Sequence, residues 1–151
     1  MPSIRVYQRR QLRLDLLNFR QRQMYEIGMT GVVAVKERLA AAKGPTDGPA
    51  KPLSKAYAIW KTRQGRGNRR NLIFTGDMLS KFQVRTVSEN SAKANVSTRK
   101  NRIKAWANQK REEWMVFSPR NRQTVKQAAQ QMLEAMKQRL IIERALGGRQ
   151  R

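Results

Sequence analysis

From Ile4 to Ala42 the apolar residues Leu12, Leu16, Phe19, Ile27, Val35 and Leu39 recur at helical multiples, with Met24 and Val32 beside them. Gly28 and Gly31 interrupt this stripe, each costing about 1 kcal/mol relative to alanine in a helix interior. Either the helix breaks or bends near Met29-Thr30, the preferred reading, or the glycines let another backbone come close. Lys43 to Pro52 is a loop by its glycines and prolines. Ser54 then stands as N-cap of a short helix whose Leu53, Tyr57 and Trp60 form a stripe expected to face the core. Leu72 to Phe74 is a short apolar run halted by Thr75-Gly76. Asp77 is placed to cap a single turn carrying Met78, Leu79 and Phe82. Val84 to Val87 and Ala92 to Thr98 read as paired strands around Ser88-Glu89-Asn90-Ser91. In the second, Ala92, Ala94, Val96 and Thr98 alternate with polar neighbours.

The second half of the chain returns to helical spacing. Ile103, Trp106 and Ala107 predict a helix, and Trp114 to Phe117 is short enough to be a third strand. Ser118-Pro119 is a helix start, a capping hydroxyl followed by proline at the first helical position. Val125, Ala128, Ala129, Met132, Met136 and Leu140 share one face of that helix, which ends at Gly147-Gly148. At ~28 residues it is roughly 42 Å long. A small sheet cannot cover all of it, so part must pack on the N-terminal helix or on a second subunit. The fold class is therefore α+β: long N- and C-terminal helices on a small, mainly antiparallel sheet. The chain reads as one domain, residues 1–151, made of a helical region (1–43), a helix-and-sheet unit (44–117) and a C-terminal helix (118–148). Its expected core is Trp60, Leu72, Phe74, Leu79, Val96, Trp106 and Phe117. Trp106→Ala would then cost roughly 3–5 kcal/mol.

Charge changes this picture most. There are 33 Lys plus Arg against 10 Asp plus Glu, a formal net charge of +23. A folded body so charged repels itself unless a polyanion or an acidic neighbour offsets it, and nucleic acid is the first candidate. Solubility alone is the plainer explanation. Arg5, Arg9, Arg10, Arg13, Arg20 and Arg22 load the first helix, either as a solvated face or as a binding one. Gln64 to Arg70 is a basic, glycine-containing loop expected to be flexible. It lacks the Gly-Lys-Ser/Thr ending of a phosphate-binding loop, so a polyanion or subunit contact is the better reading. Arg120 and Arg122 stand in a helix first turn, where the dipole disfavours cations, either by surface accident or because an anionic partner sits there.

Cysteine and histidine are absent, which removes disulfides, thiolate or imidazole zinc sites and the usual neutral-pH base. Nothing before Tyr25 has the form of a signal peptide, and no apolar run reaches the roughly 20 residues of a membrane span. Glu112 and Glu113 form the one close acid pair. In a strand such neighbours point to opposite faces, so they suit pairing with Lys110 and Arg111 rather than acid–base work. No serine or lysine has an activating partner. The chain is not expected to be an enzyme, and no cofactor is expected.

Several pieces occur in an order that carries a resemblance. They begin with Gly44-Pro45-Thr46-Asp47-Gly48-Pro49, then Pro52-Leu53-Ser54 and Tyr57 with Lys61. Asn71-Leu72-Ile73-Phe74-Thr75-Gly76-Asp77-Met78-Leu79 follows, then the strand pair, an alanine-containing helix and Ser118-Pro119-Arg120 opening the last helix. Over roughly residues 30 to 130 this order resembles the tailed-phage virion morphogenesis family, the tail-completion or neck proteins of the phage Mu type. Where that family often carries a glycine after the alanine-containing helix, this chain has Lys110-Arg111-Glu112-Glu113. The resemblance implies a structural virion protein, assembled in the host cytoplasm. It would form a homo-oligomeric ring at the head–tail joint, between portal or connector and tail proteins. The joint surrounds the path of DNA, so non-specific contact with double-stranded DNA is a further expectation.

The residues expected to meet DNA or a partner are Arg63, Arg66, Arg69 and Arg70, then Arg99, Lys100, Arg102 and Lys104, and Arg120 and Arg122. Two alternatives remain open. One is a sequence-independent nucleic-acid-binding protein, although no RNA-recognition signature or helix-turn-helix is evident. The other is an assembly chaperone absent from the mature particle.

Overall fold

A computed structural model describes residues 21–69, 76–88 and 91–147. In chain order the elements are α1 (Gln21–Ala40), α2 (Lys55–Arg63), α3 (Asp77–Ser80), β1 (Phe82–Ser88), β2 (Ser91–Val96), α4 (Arg99–Arg111) and α5 (Pro119–Gly147). The fold is α+β, helices around a small antiparallel sheet, as the periodicities imply. The expected extension of the first helix back to Ile4 lies outside the described residues, as do Leu72, Phe74 and Gly148.

β1 and β2 pair antiparallel, with Phe82 opposite Val96, Val84 opposite Ala94 and Val87 opposite Ala92. Val84 and Val87 are an odd number of residues apart and would face opposite ways in a regular strand. The register shifts between Val84 and Thr86, a bulge that leaves Arg85 as the extra residue. Both valines then reach the core side, and Phe82, Val84 and Val96 are buried.

α1 lies on this hairpin unbroken. The expected break at Met29-Thr30 is absent, and the glycines have the other role. A Cβ at Gly28 would sit 2.7 Å from the Ala92 Cβ and 3.0 Å from Val84, and one at Gly31 would sit 2.7 Å from the Phe117 ring. Without side chains there, the sheet and the 114–117 segment pack directly on the helix backbone. Val32, Val35 and Leu39 meet Met78, Leu79, Phe82, Val84, Val96, Ala105, Trp114 and Met115 in the main core. Trp114 meets Phe82 edge-on at 5.5 Å between ring centroids.

A second cluster joins α1 to α5 through Met24, Ile27 and Ala129, with Val125, Met132 and Met136 against it. The contacts run in opposite chain directions, and Asn121 Nδ2 donates to the Ala34 carbonyl at 3.0 Å, so the helices are antiparallel. The expected α5 start is present. Ser118 Oγ accepts from the Asn121 N–H at 3.1 Å while Asn121 Oδ1 accepts from the Ser118 N–H at 3.3 Å, a reciprocal cap. α1 covers only the first part of α5, and Ile141 and Ile142 are exposed beyond it.

Four expectations are corrected. Trp114 to Phe117 is a turn, not a strand. The Trp114 N–H bonds the Glu112 carbonyl at 2.8 Å and the Met115 N–H bonds Gln109 Oε1 at 3.0 Å, so these donors are used locally. Asp77 lies inside α3, and Gly76 holds the cap position with φ +76°. Ser54 precedes α2 as expected but makes no side-chain capping bond. Tyr57, Trp60 and Trp106 are exposed rather than core. The inward faces of their helices are instead Lys61 on α2 and Asn101 with Ala105 on α4. Leu79 and Val96 are buried and Phe117 is partly buried against the core.

Candidate polyanion and partner interface

The first cationic group grows from the end of α2. Gly65 takes φ +68°, its N–H bonds the Thr62 carbonyl at 2.9 Å, and the Arg66 N–H bonds the Lys61 carbonyl at 3.1 Å. This pair of bonds is the Schellman helix stop, which favours glycine at the left-handed position. Lys61 is buried, which pushes its pKa down, and its ammonium donates to the Arg69 carbonyl at 2.7 Å. The loop expected to be flexible is thus closed at both ends by hydrogen bonds. Arg63 at the end of α2 and Arg66 and Arg69 on the loop are exposed, and within α2 the rings of Tyr57 and Trp60 stack at 5.4 Å. Arg70 lies outside the described residues.

The second group is carried by α4. Thr98 Oγ1 caps the helix at the Asn101 N–H (3.4 Å), and Asn101 Nδ2 donates to Asp77 Oδ2 at 2.7 Å, tying α4 to α3. Trp114 donates its indole N–H to the Ala105 carbonyl at 3.1 Å from beneath. Arg99, Lys100, Arg102 and Lys104 all point outward with Ile103 and Trp106. The Lys110 ammonium lies 3.8 Å above the Trp106 ring, a cation–π contact.

The third group opens α5, where Arg120 and Arg122 are exposed. The anion at this helix start is the chain's own. Asp47, at φ +66°, accepts from the Arg120 N–H at 3.0 Å. The Ser118 hydroxyl, then the Arg120 N–H, then Arg38 and Lys43 together hold its carboxyl below the usual carboxylate range, against a smaller opposing effect of burial. The Arg122 Nε donates to the Phe117 carbonyl at 3.1 Å.

Arg38 links these parts. It is buried and donates to the carbonyls of Gly44 (3.2 Å) and Trp114. Burial pushes its pKa down, while Asp47 and Glu112 push it back up. A guanidinium stays protonated under such opposing effects. The notch lined by Arg38, Gly44, Asn108, Glu112 and Trp114 has room for about one water molecule. Glu112, expected to pair with Lys110 and Arg111, accepts from the Lys51 N–H at 3.3 Å. Sequence reasoning missed Arg38 and Asp47. Trp114 and Arg120, which they bond, lie more than 70 residues away, and only the glycine-rich spacing of residues 44–48 marks the tight loop that brings them together.

α4 packs on α3 and β2 and α5 packs on α1, while α2 has no extensive packing with any named element. The three cationic groups therefore stand on separate elements rather than in one packed cluster. Among the described residues no group of carboxylates is spaced to hold a metal ion, and no helix is long and apolar enough to cross a membrane. No protein-family model, no curated protein and no solved structure matches this chain.

Proposed function

We propose that this chain is a structural protein of a tailed-phage head–tail joint, assembling as a ring around the path of DNA. The observation that carries the reading is the order of sequence pieces from Gly44 to Arg120 that resembles the neck-protein family. Two features of the surface support it. Ile141 and Ile142 leave the far part of α5 with apolar surface that nothing in the described chain covers, as an assembling subunit requires. The cations of the α2 loop, α4 and the α5 start are displayed outward, where a DNA path or an acidic neighbouring ring would offset them. A ring needs head-to-tail interfaces, closed by the correct rotation per subunit. No residue is assigned a catalytic role.

Mass spectrometry of purified particles tests this directly. The expected result is the chain at a few copies per particle, with a monomer or poorly soluble species when it is isolated alone in analytical ultracentrifugation. A compact, stable monomer that never enters particles overturns the reading. Presence during assembly but not in finished particles would point to an assembly chaperone, and association with nucleic acid outside particles to a general nucleic-acid-binding protein.

A further inference from the structure

The outward face of α4 has a composition that phosphate contact alone does not explain. The helix carries Arg99, Lys100, Arg102, Lys104, Lys110 and Arg111 and no acid. At 100° per residue, Ile103 stands opposite the buried pair Asn101 and Ala105. Trp106, Arg99 and Lys110 lie on one side of Ile103, and Lys100, Lys104 and Arg111 on the other. Two large apolar side chains, Ile103 at 61% and Trp106 at 46% exposure, therefore occupy the middle of a cationic field.

We infer that this face docks an acidic protein surface with an apolar centre, rather than nucleic acid. A phosphodiester backbone gives isoleucine nothing to bury against. An apolar middle with a charged rim is the anatomy of a protein interface, in which tryptophan and arginine are the commonest anchors. Charge complementarity sets the sign of the partner. It also argues against a second copy of this chain, which carries only 10 Asp plus Glu against 33 Lys plus Arg. Several of those acids are already engaged: Glu26 with Arg22, Glu134 with Lys137, Asp77 with Asn101 and Asp47 with Arg120. The platform is firm. α4 is capped by Thr98, tied to α3 and held from below by Trp114. The Lys110 ammonium fixes one face of the Trp106 ring. This inference rests on α4 alone and stands whether or not the chain is found in particles.

The probes are a synthetic amphipathic peptide of glutamates and leucines at helical spacing, a matched peptide with serines for the leucines, and a short DNA duplex. Each is titrated by fluorescence anisotropy against the full chain. The leucine peptide is expected to bind about tenfold or more tightly than the serine peptide, and Ile103→Ser with Trp106→Ser to remove that difference. The same variant should keep the wild-type melting temperature and its affinity for the duplex. Arg99→Glu with Arg102→Glu should weaken both peptides. Equal binding of the two peptides overturns the inference. So does duplex affinity that falls with Ile103 and Trp106, and that outcome favours nucleic acid instead.

Discussion

Trp114 and Trp106 stand on the two sides of α4, the first packed beneath the helix and the second projecting from it. Trp114 lies beneath the helix, 2% exposed, its indole N–H on the Ala105 carbonyl and its ring against Phe82. Trp106 lies on the outer surface, 46% exposed, with the Lys110 ammonium over it. The difference is set by which residues of α4 are small enough to face inward. Ala105 lets Trp114 and β2 come close, and Asn101 satisfies its amide on Asp77. A tryptophan in either place would hold the layers apart. Large apolar side chains on a basic helix thus divide into those that build the body and those left at its surface.

The sharpest way to break this comparison is to truncate each ring. Trp114→Ala should cost about 3–5 kcal/mol, as for other buried aromatic residues. Trp106→Ala should stay within about 0.5 kcal/mol, as for surface changes. Denaturant unfolding of both variants checks the pair. Equal losses would mean that the two sides of α4 are not as different as described, and would restore the expectation that Trp106 is core.

A smaller effect is expected where α1 touches the sheet. Gly28→Ala gains about 1 kcal/mol of helix propensity but drives its Cβ into the Ala92 Cβ, which is fixed to the β2 backbone. Overpacking of this kind costs about 1–3 kcal/mol, so a net loss is expected. Gly31→Ala meets the tip of the half-buried Phe117 ring, which can turn aside, and should be milder. Thermal melts giving the reverse order would show that the hairpin yields more readily than Phe117.

These cases show what could be read from the residues alone. The hairpin was legible because Ala92, Ala94 and Val96 alternate, and the α5 start because Ser118-Pro119 is a local signal. The bulge at Arg85 was not, although the odd spacing of Val84 and Val87 requires one. The stripe of Tyr57 and Trp60 was visible, but periodicity identifies a stripe without saying whether it faces in. Here Lys61 is the buried residue of α2 and the aromatics face out. The basic groups were legible as charge, whereas the hydrogen bonds that hold Gly65 to Arg69 in place depend on backbone geometry.

The next effect is a change in pH dependence. Asp47 titrates lower in the folded than in the unfolded chain, chiefly through the Ser118 hydroxyl. Its contribution to stability is therefore complete above about pH 4, the unfolded value. It is lost as pH falls from there through the depressed folded value. Asp47→Asn keeps a side chain that tolerates positive φ but removes the charge at the α5 start. The variant should be less stable than wild type at neutral pH and converge on it in acid. Parallel acid-melting curves would remove Asp47 from the α5 cap.

The mildest change to the fold, and the one that bears most on function, is in the loop after α2. Arg66 and Arg69 are exposed there, and neutralising them together with Arg70 should leave the melting temperature nearly unchanged. If the loop faces the DNA path, its contacts are with phosphates and indifferent to base sequence. Binding then weakens with salt at a log–log slope of about −0.9 per phosphate neutralised. The triple variant should flatten that slope by roughly 2 to 3 units if each arginine meets a phosphate. An acidic protein neighbour at this loop gives a different pair of results: an unchanged slope and lost incorporation into particles. Titrating a duplex at several salt concentrations against wild type and variant separates the two, and identical slopes remove DNA as the loop's partner. Set beside α4, where Ile103 and Trp106 argue for protein, the outcome decides whether the cations of this chain serve one partner or two.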